Sequence, residues 1–116
     1  MQPIIEEDEV KELKDFVKHR FRDIAETYLR CADEYVDVIL EGHKNEDAQA
    51  MMEAAHPLKS SSGNLGLRAL SDLSRKIEET ASNVMEGEAE FSELAPLVAD
   101  LKDVHDKSNE ALREHI

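Results

Sequence analysis

The sequence predicts an all-α fold, an antiparallel up-and-down bundle of four helices, and three observations support this. Glycine and proline are scarce, with four and three in 116 residues, so turns are few and the elements must be long. Apolar residues recur at steps of three and four, the period of a helix with one buried face. No stretch shows the β-branched alternation of a strand. Residues 1–116 are therefore expected to form a single helical domain.

The first predicted helix is long and ends near Gly42. Its apolar positions follow helical spacing over about eight turns: Val10, Leu13, Val17, Phe21, Ile24, Tyr28, Cys31, Tyr35 and Val38. In addition to the four main helices, the sequence allows a short N-terminal helix near residues 3–7. Cys31 is the only cysteine, so it is interpreted as a packed core thiol, and a disulfide within the chain is excluded.

Three further helices follow, joined by short connections. The second is predicted to begin near Asn45 as N-cap and to run to residues 63–66. The third stops near Gly87, and its apolar stripe is Leu70, Leu73, Ile77, Ala81 and Val84. The stripe of the fourth is Phe91, Leu94, Val98, Leu101, His105 and Leu112. Pro96 fits there only within the first turns. An intermolecular coiled coil is the alternative architecture, but the short connections favour a closed bundle.

The charge of the chain limits the partners it can have. Its formal net charge is -13, so binding to nucleic acid or to an anionic membrane surface is not expected. No apolar run reaches membrane-spanning length, and the acidic N-terminus lacks the layout of a secretory signal. We therefore expect a cytoplasmic, monomeric protein.

Residues 54–66 are the most informative segment. On a helix, the residues that share the face toward the core are Met51, Ala55, Leu58, Ser62 and Leu65. Those on nearly the opposite face are Gln49, His56, Ser60 and Gly63. His56 is thus expected to be exposed, beside a shallow surface depression left by the small residues Ser60 and Gly63. Pro57, directly after the histidine, is expected to bend the helix or widen its turn at residues 53–57.

The sequence is locally basic around this histidine. Residues 54–76 contain one acid, Asp72, and four cations: Lys59, Arg68, Arg75 and Lys76. A neutral, exposed imidazole is a good nucleophile toward phosphorus. A segment with few acidic residues repels an anionic phosphoryl group less than the rest of this acidic chain does. Lys59 lies one turn after His56 and can approach phosphoryl oxygens, although a surface lysine without a role is an equally simple reading.

These residues resemble the motif of the histidine-containing phosphotransfer (HPt) family. In that motif Leu and Lys follow the histidine at two and three positions, then come small residues, and a glycine stands ten positions after the histidine. Here these are His56, Leu58, Lys59, residues 60–63 and Gly66. The resemblance implies that His56 accepts a phosphoryl group from a receiver-domain aspartyl-phosphate, passes it to another receiver, and is assisted by Lys59. Ser60 stands where many members have glycine.

The resemblance also implies the partners and the docking surface. The partners would be response-regulator receiver domains and the receiver of a hybrid sensor histidine kinase. The residues assigned to docking are Gln49, Met52, Ser60, Gly63, Asn64 and Gly66. The sequence contains no Walker A loop and no kinase glycine-rich loop, so we expect a phosphotransfer carrier rather than a kinase. It would need no cofactor of its own, because the receiver would supply Mg²⁺.

Two other functions are considered. The chain could be a non-catalytic acidic adaptor that docks a partner protein, with Met52 as a contact residue, but docking alone does not require small residues beside an exposed histidine. A metal site is the second alternative, and the other histidines lack ligand spacing: His19, His43, His105 and His115. His19 and His115 are expected on the surface, and His105 on the buried stripe of the last helix.

Overall fold

The computed structural model describes residues 2–116, which form five α-helices and two 3₁₀ turns and contain no strand. The helices are α1 (Glu7–Val17), α2 (Phe21–Lys44), α3 (Ala48–Asn64), α4 (Arg68–Met85) and α5 (Ala95–Arg113). The 3₁₀ turns are Lys18–Arg20 and Phe91–Leu94. Helix α2 packs on α3, α3 on α4, α4 on α5, and α5 back on α2. This closed arrangement confirms the prediction of an all-α four-helix bundle.

The core of the bundle is mostly aliphatic, as the scarcity of aromatic residues predicts, with Phe21 and Tyr28 as its buried aromatic side chains. Its largest fully buried side chains include Ile39, Leu58, Leu70, Ile77 and Leu101, at least one from each of the four main helices. Burying such a side chain stabilises the fold by about 1.5–3 kcal/mol. The face of α3 expected to meet the core does so, because its five predicted residues are at most 2% exposed.

The first predicted helix is divided into α1 and α2, so the prediction of one continuous helix was wrong. Lys18 has φ 53° and ψ -121°, a conformation that side-chain-bearing residues rarely adopt, and the chain turns there. Residues 3–6, where the extra N-terminal helix was predicted, are not helical; the additional helix is α1, which begins at Glu7. It lies against the turn between α3 and α4, where the Glu6 amide donates to the Gly66 carbonyl at 2.7 Å and Val10 is fully buried. Packing against this turn requires α1 to leave the axis of α2.

The buried face of α2 is also rotated from the predicted stripe. Ile24 and Val38 are 38% and 45% exposed, whereas Ala25 and Ala32 are buried. The predicted stripe was drawn through the large apolar residues of this segment. In the bundle, small alanines lie at the helix contact, because they allow neighbouring backbones to come close.

The helix ends that frame the site differ in detail from the prediction. Helix α3 begins at Ala48 with Asp47 as its N-cap, whose Oδ1 accepts from the Ala50 amide at 3.0 Å. Asn45 instead caps the C-terminus of α2. Pro96 lies in the first turn of α5, where its missing N–H costs nothing.

Helix α3 remains α-helical through Pro57, so the widened turn expected at residues 53–57 is not found. Proline removes the amide that would bond to the carbonyl of Glu53, and Glu53 lies on the exposed side of the helix, where solvent can replace that bond. The continuous helix holds His56 on a rigid element.

Candidate functional site

His56 lies in the middle of α3 with its side chain 65% exposed. Its Nδ1 is 2.5 Å from Oε2 of Glu78 on α4. Its Nε2 has no hydrogen-bond partner among residues 2–116. The ring is therefore held through one nitrogen while the other points to solvent, as an exposed nucleophile requires.

Glu78 binds both residues that the sequence singled out for chemistry. Its second oxygen, Oε1, accepts from Nζ of Lys59 at 2.6 Å. Burial raises the pKa of Glu78, but the hydrogen bonds from Lys59 and His56 outweigh it and hold the pKa below its ordinary value of 4.5. Glu78 is therefore ionised at neutral pH and acts only as an acceptor toward both partners.

Glu78 has no role in the sequence motif, although its position in the sequence contains a signal for one. His56 and Glu78 each lie eleven residues from Leu67, in the turn between α3 and α4. Gly63 and Ser71, which meet across the same helix pair, each lie four residues from Leu67. Residues equidistant from the turn of an antiparallel hairpin face one another, so reading this register would have paired His56 with Glu78.

The excess of basic charge expected around His56 is compensated by acidic partners in the folded protein. Glu78 reaches Lys59, and Glu9 of α1 accepts two hydrogen bonds from Arg68. The other two cations also have acidic partners: Arg75 pairs with Asp72 and Glu79, and Lys76 pairs with Asp72. The count over residues 54–76 included Asp72 but stopped just before Glu78 and Glu79. Glu9 lies 59 positions from Arg68 and reaches it only after folding.

The predicted docking residues fall into three groups. Gln49, Ser60 and Asn64 are exposed, and Met52 is half-buried. Gly66 is buried and has φ 73°, with a position for Cβ only 3.1 Å from the Glu6 carbonyl, so it is a turn residue covered by the N-terminal segment. Its assignment to an open docking surface was therefore wrong.

Gly63 was predicted to lie on the solvent face beside His56, but it is half-buried at the contact between α3 and α4 and does not belong to the open docking surface. A Cβ there would lie 3.0 Å from Oγ of Ser71, which itself donates to the Lys59 carbonyl at 3.0 Å. The missing side chain therefore leaves room for Ser71 at the contact between α3 and α4.

A groove of about 480 Å³ lies between α2 and α3, on the side of α3 away from Glu78. Its lining includes Ile24, Cys31, Tyr35, Ser61 and Asn64. Ile24, Cys31 and Tyr35 were predicted to lie in the core, because they belong to the apolar stripe of the first predicted helix. In the folded protein they line a partly apolar groove against the C-terminal half of α3.

The remaining histidines occupy separate places. His105 is 2% exposed, as its stripe predicted, and its Nε2 lies 2.7 Å from Oδ1 of Asp33. His43 stacks on Phe91, His19 is exposed, and His115 is half-buried and pairs with Glu7. Over residues 2–116, no three or more His, Cys, Asp or Glu side chains are grouped so that they could hold a metal ion. No helix in this same range has the length and apolarity needed to cross a bilayer.

The chain is similar to one known domain family and to a solved structure. The family model of the Hpt domain matches residues 23–113. The crystal structure of histidine-containing phosphotransfer protein B (HptB) from Pseudomonas aeruginosa PAO1 superposes with a TM-score of 0.83 at 20% identity, over 99% of this chain and 96% of that chain. At this identity the likeness shows a shared fold. Comparison with curated protein sequences gives no significant match.

Proposed function

Since this chain belongs to the Hpt domain family, and so acts in the histidine phosphotransfer of phosphorelays, we propose that His56 is its phosphoacceptor. One observation carries the assignment. His56 is exposed in the middle of a continuous helix, with Nδ1 bonded to Glu78 and Nε2 open to solvent. A phosphoryl donor can therefore approach Nε2 without displacing any protein contact.

The proposed reaction uses the lone pair of Nε2. This lone pair attacks the phosphorus of an aspartyl-phosphate on a receiver domain and forms the N–P bond. The P–O bond to the aspartate breaks, and its electron pair stays on the aspartate carboxylate. The proton on Nδ1 remains on the ring. The same steps in reverse pass the phosphoryl group to a second receiver. Positioning and charge compensation account for most of the catalysis in such transfers.

We assign Lys59 to phosphoryl stabilisation. It lies one turn after His56 on α3, and Glu78 holds its Nζ beside the imidazole. A lysine ammonium is a compact cation that can offset the charge of phosphoryl oxygens. The chain itself would contribute this cation, and the receiver would contribute Mg²⁺ and the acceptor aspartate.

The proposed docking surface surrounds the open side of His56. It comprises Gln49, Met52, Ser60 and Asn64, and it continues into the groove between α2 and α3. Ser60 is small and exposed one turn from His56, which lets a receiver bring its aspartate close. Response-regulator receivers and the receiver of a hybrid kinase are the proposed partners. We expect the chain to act as a monomer in the cytoplasm, and to carry phosphoryl groups without binding ATP.

The test is the variant His56→Gln, which keeps much of the side-chain size but has no nucleophilic ring nitrogen. We expect it to accept no phosphate from a phosphorylated receiver, while wild type accepts an acid-labile phosphate. The side chain is exposed, so the free energy of unfolding should change by less than about 1 kcal/mol. The variant His19→Gln, at another exposed histidine, is the matched control and should accept phosphate normally. Acceptance of acid-labile phosphate by His56→Gln would show that a different residue is the carrier.

A further inference from the structure

We propose that the surface between α3 and α4 beside His56 is a charge-polarised contact that orients the receiver. It takes acidic groups of the receiver on one side of the histidine and basic groups on the other. This inference rests on the proposed role of His56. It adds side chains of α4 to a docking surface that otherwise consists of α3 and the groove between α2 and α3.

Two surface depressions follow one another along α4. The first, of about 240 Å³, lies beside the first half of the helix, and three of its lining residues are cations against one acid. Its lining residues are Gln2, Lys59, Arg68, Ser71, Asp72 and Arg75. The second, of about 400 Å³, lies beside the second half of the helix. Its lining residues are Met52, Glu78, Glu79, Ser82 and Asn83, two of them acids, and no described residue that lines it is a cation. We name the two the basic depression and the acidic depression.

Two ion pairs connect these depressions, and both point in the same direction. Nζ of Lys59 lies 2.6 Å from Oε1 of Glu78, and Nη1 of Arg75 lies 3.1 Å from Oε2 of Glu79. In each pair the cation lines the basic depression and the carboxylate lines the acidic one. Parallel dipoles add, so this surface presents two signs of charge to a partner although each pair is neutral as a whole.

His56 lies at the boundary between the two signs. Its Nδ1 contacts Glu78 of the acidic depression, and Lys59 of the basic depression follows it by one turn on α3. Residues 68–83 of α4 extend over about 22 Å at 1.5 Å per residue. A standard protein interface covers about 800 Å² of each partner, a patch roughly 30 Å across. A receiver centred on His56 is therefore large enough to cover both depressions.

The polarity of this surface selects the charges of the receiver. A receiver with acidic groups over the basic depression and basic groups over the acidic one is attracted at both places, and the reversed orientation is repelled at both. Charges at the rim of an interface act mainly on association and on the choice of partner. Transfer requires the receiver aspartate to meet Nε2 in one geometry, so an orientation set during approach makes more encounters productive. We infer that charges of opposite sign flank the phosphorylated aspartate of the receiver.

Stabilisation of the fold is the competing explanation for the ion pairs. Arg75 and Glu79 are 45% and 60% exposed and lie on one helix, so their pair contributes little to stability. The direction of the polarity does not serve α4 either. A helix favours acids in its first turn and cations in its last, and α4 has neither. A stabilising pair affects the melting temperature, whereas an orienting pair affects KM for the receiver.

The experiment reverses one dipole without changing the net charge, in the double variant Arg75→Glu/Glu79→Arg. The matched control is Arg22→Glu/Glu26→Arg, which reverses an exposed pair of the same residue types and spacing on α2. Steady-state transfer from one phosphorylated receiver gives kcat and KM for both variants, and melting curves report their stability.

The expected result depends on ionic strength. At about 0.01 M, where the Debye length is about 30 Å, we expect the reversal at positions 75 and 79 to raise KM about fivefold with kcat unchanged. At about 1 M the Debye length is about 3 Å, and KM should lie within about twofold of wild type. The control should match wild type at both ionic strengths.

Asn83 allows a second test that breaks no ion pair, because it is exposed and lines the acidic depression without a charge. At low ionic strength Asn83→Asp should lower KM about twofold, and Asn83→Lys should raise it about threefold. Opposite effects at one position exclude a steric cause. These variants also carry the test if the double variant at positions 75 and 79 fails to fold.

This surface does not orient the receiver if the double variant, or Asn83→Lys where the former does not fold, keeps the wild-type KM at low ionic strength. An equal rise of KM at both ionic strengths would also overturn the proposal, because the effect would not be electrostatic. Failure of the proposed function is a different result, namely acid-labile phosphate on His56→Gln. Calorimetric binding of the receiver to His56→Gln, with and without the reversal at 75 and 79, is then decisive: weaker binding supports the contact, and equal binding overturns it.

Discussion

His56 and Lys59 share one carboxylate, and this arrangement determines what each residue can contribute. Nζ of Lys59 is committed to Glu78 in the resting protein. It can help an incoming phosphoryl group only by adding a second contact or by leaving Glu78. At a site open to water and salt, such a contact is screened, so we expect the lysine to assist transfer and the imidazole to be the reactive group.

Lys59→Ala should therefore weaken transfer without abolishing it. We expect a loss of about tenfold in rate, equivalent to about 1.4 kcal/mol. The lost ion pair with Glu78 should lower the free energy of unfolding by no more than about 1 kcal/mol. Rates of transfer from one phosphorylated receiver and melting curves measure both quantities. If this variant were as inactive as His56→Gln, Lys59 would have a further role in transfer besides stabilising the phosphoryl group.

Ser60→Arg tests whether the receiver docks on the exposed face of α3. Because Ser60 is exposed, an arginine there fits the fold but obstructs approach to His56, and we expect transfer to fall by at least about tenfold with under about 0.5 kcal/mol of lost stability. Ser92→Arg, at an exposed serine before α5, is the control and should transfer normally. Wild-type rates in Ser60→Arg would place docking on another face.

At the level of elements, the junction between α1 and α2 is a strained point. Lys18 adopts φ 53° and ψ -121°, and Nζ of Lys14 lies 5.4 Å from the ring centroid of Phe21 across the same junction. The strain is tolerated because it lets α1 cover the turn that joins α3 to α4. That turn sets the register of the two helices that build the site.

Lys18→Gly should relieve this strain and stabilise the protein. The conformation costs roughly 1–3 kcal/mol for a residue with a side chain, and glycine's extra chain entropy offsets part of the gain, so we expect a net gain of about 1 kcal/mol. The control Lys11→Gly, at an exposed position inside α1, should lose about 1 kcal/mol. Chemical denaturation gives both values. A loss of stability in Lys18→Gly would mean that the lysine conformation is not strained.

For the molecule as a whole, ion pairs between helices hold the N-terminal segment to the bundle. The hydrogen bond from Arg68 holds the pKa of Glu9 below its ordinary value of 4.5, against a small rise from burial. A carboxylate with a lowered pKa in the folded state stabilises the protein above its unfolded-state pKa. That contribution is lost as the pH falls through the folded-state pKa.

The stability advantage of wild type over Glu9→Gln should therefore be constant above about pH 5 and should disappear as the pH falls below 4.5. Both side chains are more than a third exposed, so the advantage should be under about 1 kcal/mol. Denaturation of both proteins between pH 7 and pH 3 measures it, and taking the difference removes the effect of the net charge. An advantage that does not decrease at all between pH 5 and pH 3 would show that Glu9 acts through packing instead.

The sequence by itself determined the fold class, the core face of α3 and the exposure of His56, because these depend on helical periodicity within one element. Only the tertiary structure decided which residues surround the histidine. Glu78 lies 22 positions from His56, and Glu9 lies 59 positions from Arg68, so they meet only after the helices pack. Helix packing also determined that the face of α2 with Ala25 and Ala32 is the buried one. It likewise determined that the first predicted helix breaks at Lys18. A periodic pattern records which face of a helix is apolar, whereas the neighbour that covers this face, and the charges it brings, depend on how the helices assemble.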